Sequence, residues 1–63
     1  MDAIIMFPKV CRKGIRTLTD TIGVSLDTAY NMMLTTATLM DLRPEDERVV
    51  EMILRDCGME VHA

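Results

Sequence analysis

Apolar residues recur along this chain at helical spacing, and only its first residues break that rhythm. Residues 3–7 (AIIMF) are apolar at every position, with β-branched and aromatic content, and Pro8 stops them. This predicts a short strand, although without alternation nothing says which face is buried. Pro8 suits the first turn of a following helix. Cys11, Ile15, Leu18 and Ile22 then recur at spacings of four, three and four, which is a helical stripe. Gly14 sits inside that stripe at a cost of about 1 kcal/mol relative to Ala. Gly23 is placed to cap the helix at its C-terminus.

Ser25 is a good N-cap for a second helix, with Asp27 favourable in its first turn. Leu26, Ala29 (or Tyr30), Met33, Ala37 and Met40 make its stripe, and Thr35, Thr36 and Thr38 weaken its end, which is expected to fray. Asp41 to Arg43 read as a connector. A third helix follows, with Pro44 at its first position and Glu45, Asp46 and Glu47 complementing the positive end of its dipole. Arg55 falls in its last turn, and Gly58 is placed to cap it. Its apolar face is Val49, Val50, Ile53, Leu54 and Cys57. Met59 and Val61 alternate with Glu60 and His62, which leaves open a small strand or, the preferred reading, a frayed tail.

The expected fold class is mainly α: a short N-terminal strand followed by three helices. Residues 1–63 form one small domain, 3–40 being a strand-helix-helix dimerisation unit and 41–63 an acidic helix and tail. A chain of this length is near the limit of independent stability, and small domains add disulfides, metals or oligomerisation. Two cysteines and one histidine do not make a disulfide framework or a zinc finger, so oligomerisation remains. The sequence therefore predicts a homodimer, with Ile4, Ile5, Met6, Phe7, Leu18, Ile22, Tyr30 and Met33 at its interface. No stretch is long and apolar enough for a transmembrane helix, and residues 3–7 are too short for a signal-peptide core. The expected setting is cytoplasmic, with both thiols reduced. Seven methionines against two aromatic residues suit an adaptable interface, or a core in which Met replaces Leu.

Charge divides the chain. The net charge is −3, yet residues 1–40 carry +1 and residues 41–63 carry −4. The cations of the first part, Lys9, Arg12, Lys13 and Arg16, are candidates for contacts to nucleic-acid phosphates. In the second part, Glu47, Glu51 and Asp56 flank the apolar face of the third helix and are candidates for meeting a basic partner protein. Catalytic chemistry is not indicated. His62 stands at the penultimate position, where a base would be poorly supported. Cys11 and Cys57 both fall on apolar stripes, so inert buried thiols are expected. The glycines at 14, 23 and 58 form no phosphate loop. No cofactor, metal ligand set or enzyme class is expected.

The stretch from Gly23 to Leu34, GVSLDTAYNMML, is the most informative. A helix-turn-helix uses such a string, with glycine at the turn and a small polar cap on the recognition helix. The order strand, Pro8, helix, Gly23, Ser-capped helix also matches a ribbon-helix-helix. In Gly23, Ser25, Leu26, Thr28, Ala29, Asn31 and Leu34, with the stripe of 11, 15, 18 and 22 before them, the chain resembles the RelB/DinJ-type antitoxin family. The resemblance covers about 35 residues, mostly fold-defining ones. It implies a dimer whose paired strands enter the DNA major groove, and an acidic C-terminal region that wraps a basic ribonuclease toxin. One departure stands against it: Ile4 and Met6, or Ala3 and Ile5, cannot hydrogen-bond a base edge. The leading expectation is a dimeric DNA-binding transcriptional regulator, antitoxin-like and autorepressing. The alternative is a small interaction protein that binds and inhibits another protein without contacting DNA.

Overall fold

The structure, a computed structural model, describes residues 3–59. Within them the chain forms a 3-10 turn at Ala3–Met6 and three helices, α1 (Lys9–Ile22), α2 (Leu26–Met40) and α3 (Glu47–Asp56). The strand expected at residues 3–7 is thus corrected to a 3-10 turn. A lone strand would leave its N–H and C=O groups without a ladder, and the described residues supply no second strand. The segment closes locally instead, the Phe7 N–H donating to the Ile4 carbonyl at 3.2 Å. The Arg12 guanidinium ties it to α1, donating to the carbonyls of Ile5 at 3.2 Å and Phe7 at 3.4 Å. Ile4 enters the core, while Ile5 and Met6 are 52% and 85% exposed.

Helix α1 begins one residue after Pro8, whose ψ of 140° is extended and whose carbonyl accepts from the Cys11 N–H at 2.9 Å. It ends at Gly23, whose φ of 79° is left-handed and open only to glycine without strain; its N–H reaches the Thr19 carbonyl at 3.0 Å. Two residues later Ser25 caps α2, its hydroxyl accepting from the Thr28 N–H at 3.2 Å. The threonine-rich end stays helical. Thr38 Oγ1 donates back to the Leu34 carbonyl at 2.8 Å, and Asp41 closes the helix with a left-handed φ of 55°. Helix α3 starts later than the sequence suggests. Pro44 and Glu45 lie in the connecting turn, and Asp46 is the cap, its carboxylate accepting from the Arg48 N–H at 2.9 Å. With Pro44 at the first position the cap would fall to Arg43, whose side chain has no acceptor, whereas Asp46 answers an N–H of the first turn.

Each helix packs on the other two. Cys11, Ile15 and Leu18 of α1 meet Ala29, Met33 and Ala37 of α2 and Val49, Val50 and Ile53 of α3, and Ile4 closes one end. No polar or charged side chain of the described residues is buried among them. The helices approach at Gly14, where a β-carbon would stand 2.5 Å from Met33 Cε and 3.2 Å from Val50 Cγ2. The glycine that weakens α1 locally thus makes room for two neighbours. Helix α3 folds back to complete a core within one chain.

That packing already covers, within one chain, part of the surface expected at a dimer interface. Leu18 and Met33 are fully enclosed by their own chain, and Ile4 nearly so. Phe7 meets Tyr30 in a tilted ring contact with centroids 5.0 Å apart, and both pack with Ile22 against the core. Ile5 and Met6 keep exposed surface.

Candidate functional site

The four cations of α1 stand at positions i, i+3, i+4 and i+7, which puts Lys9, Arg12, Lys13 and Arg16 on one stripe opposite buried Cys11, Ile15 and Leu18. Arg12 and Lys13 are engaged within the chain. Arg12 holds the 3-10 turn. Lys13 Nζ donates to Glu47 Oε1 of α3 at 2.7 Å, with both side chains more than two-thirds exposed. Lys9 and Arg16 are exposed.

Helix α3 turns Glu47 and Glu51 outward on successive turns, with Val50 and Leu54 beside them. Facing Lys13, Gly14 and Thr17 of α1, and with Glu45 from the preceding turn, they line a groove of about 220 Å³. Val50 and Leu54 are its apolar lining. Glu47 is held below the usual carboxylate range by the hydrogen bond from Lys13 and then by its charge. Glu45 points one oxygen toward the Arg43 guanidinium at 3.5 Å, whereas its Oε2 is buried with no hydrogen-bond partner. Asp46 is drawn lower by the Arg48 guanidinium, which it meets at 3.0 Å, and by the Arg48 N–H.

Asp56, the third expected partner residue, is exposed but faces elsewhere. With Cys57 and Ile53 it borders a furrow of about 440 Å³ against Thr28, Asn31, Met32, Thr35 and Thr36 of α2. The structure therefore brings Glu47 and Glu51 together and sets Asp56 apart. Of the two thiols expected to be buried, Cys11 is, and burial first, then the Glu45 charge, pushes its thiol up. Cys57 is corrected to exposed, because the helical repeat ends at Asp56 and residue 57 leaves the stripe. His62, Glu60 and Val61, and with them the choice between strand and frayed tail, lie outside the described residues.

Glu45 and Gly14 were not singled out for function from the sequence. Glu45 reads there as a dipole partner, and its inward oxygen depends on where α3 begins. The one local signal was Gly14, a glycine inside an otherwise sound helix. Among the described residues no group of three His, Cys, Asp or Glu could hold a metal ion, and no helix is long and apolar enough to cross a membrane. No protein-family model, curated protein or solved structure matches this chain.

Proposed function

We propose that this chain is a small interaction protein that binds a basic partner protein through the acidic side of α3, without contacting DNA. The observation that carries this reading is where the charges are spent. Arg12 and Lys13 of the α1 stripe are engaged inside the chain, while Glu51 and Asp56 stand exposed with no ion pair among the described residues. Helix α3 is held in place by its apolar face, so its acidic side is presented on a rigid element. The antitoxin resemblance implies a basic partner as well, but here the acidic helix packs on α1 and α2 instead of reaching out.

A second reading, a DNA-binding regulator of helix-turn-helix type, draws on the sequence α1, left-handed Gly23, Ser25 cap and α2. Exposed Thr28 and Asn31 could meet base edges, and Lys9, Arg12, Lys13 and Arg16 could meet phosphates. In the ribbon-helix-helix version, dimer strands would read the groove. That version lacks its strand among the described residues.

Capture by the tagged full chain, scored for protein and nucleic acid together, tests the proposal. The expected result is a protein of basic character, lost with Glu51→Lys and retained with Lys9→Ala. Salt-sensitive association with any duplex at about 50 mM salt, weakened by Lys9→Ala and Arg16→Ala, contradicts it and supports the second reading.

A further inference from the structure

We infer that the groove between α1 and α3 receives a long basic side chain, arginine or lysine, from the partner protein. The inference rests on the proposed basic partner and names the place and contacts it uses. The groove has the two parts such a side chain needs, an apolar floor for the methylene stem and carboxylates for the charged head. Val50 and Leu54 give the groove its apolar surface. Glu45 and Glu51 supply the carboxylates.

Three further features point the same way. Lys13 already lays its ammonium on Glu47 at the edge of the groove, so the site holds this chemistry within the chain. Glu47 and Glu51 stand four residues apart on α3, a like-charge spacing that weakens a helix, and Lys13 pairs with Glu47 alone. Glu45 Oε2 is buried and accepts no hydrogen bond. A buried carboxylate oxygen without a donor is costly, and a guanidinium or ammonium in the groove would remove that cost once Glu45 turns this enclosed oxygen toward it. Charge complementarity thus selects a cation, and the apolar floor selects one on a long aliphatic stem. The furrow beside Asp56 has apolar lining too but a single carboxylate among threonines and asparagine, so it offers a cation less.

The test uses the full chain labelled with nitrogen-15 and the peptide acetyl-Ala-Leu-Arg-Leu-Ala amide. Its control is the same peptide with neutral citrulline in place of arginine. The arginine peptide should move the amide signals of Gly14, Thr17, Glu51 and Leu54 and bind with a Kd of about 1 mM, and the citrulline peptide about tenfold more weakly. Glu51→Gln and Glu45→Gln should each weaken the arginine peptide several-fold, whereas Asp27→Asn should not change it. Glu51 is exposed, so its variant carries the test if Glu45→Gln misfolds. Equal binding of the two peptides overturns the inference, and so do shifts spread over every acidic position. Shifts confined to the Asp56 furrow overturn it too, yet leave a basic partner for α3 standing. Loss of all peptide binding together with failure to capture any protein removes both readings.

Discussion

Gly14 is where one missing side chain does most. A β-carbon there would overlap the end of Met33, which is fully enclosed, and crowd Val50. Overpacking costs about 1–3 kcal/mol, and alanine returns about 1 kcal/mol of helix propensity. Gly14→Ala should therefore lower stability by about 1 kcal/mol in urea titration, and it should become stabilising in a Met33→Ala background, where the overlap is gone. Asp41 presents the opposite case, since its φ of 55° is strained for a residue with a β-carbon. Asp41→Gly should raise stability by up to about 1 kcal/mol. Asp46 and Glu47 set a pH response. Their carboxyls are held low in the folded chain by Arg48 and Lys13, so what they contribute is present above the usual carboxylate range and lost as pH falls through it. Glu47 is exposed and Asp46 only partly covered, so the effect is small. On acidification the parent melting temperature should fall further than that of Asp46→Asn/Glu47→Gln, and equal slopes would contradict the pairing.

At the scale of elements, the 3-10 turn separates neighbours that a strand would not. Ile4→Ala should cost about 2–5 kcal/mol because Ile4 is enclosed, whereas Ile5→Ala should stay within about 0.5 kcal/mol. Helix α3 is tested by Ile53→Asp, which places an unpaired charge in the core and should unfold the chain at a cost of several kcal/mol. An unchanged melting temperature would mean that α3 does not hold the core together. These contrasts also show what the amino-acid pattern could reveal. Gly23, Ser25 and Gly58 mark helix ends by chemistry that acts within a few residues, so those ends were legible. The stripes of 11, 15 and 18 and of 29, 33 and 37 were legible because helical spacing alone puts them on one face. Residues 3–7 misled because a short apolar run does not say whether a partner strand exists. Pro44 misled because a cap depends on which acceptor, here Asp46, wins locally. The candidate groove was half legible. Glu47 and Glu51 stood out by charge, but Gly14 and Glu45 join them only through the packing of α1 against α3.

For the molecule as a whole, one chain encloses its own core, so a second copy is not needed to cover Leu18 or Met33. The melting temperature should accordingly be independent of protein concentration, and a midpoint that climbs with concentration would restore the dimer. What the fold leaves outward is a stripe of partly engaged cations on α1 and a side of α3 whose carboxylates Glu51 and Asp56 are without ion pairs among the described residues. Partner choice should follow the second of these. The most direct measurement is photocrosslinking in the native host, with a benzophenone side chain placed at Arg55 of α3 in one strain and at Val10 of α1 in another. Both positions are exposed, and neither is among the residues assigned to contact a partner or DNA. One discrete adduct is expected from position 55, to a basic protein, abolished by Glu51→Lys. Adducts to nucleic acid from position 10, with none to protein from position 55, would contradict this expectation.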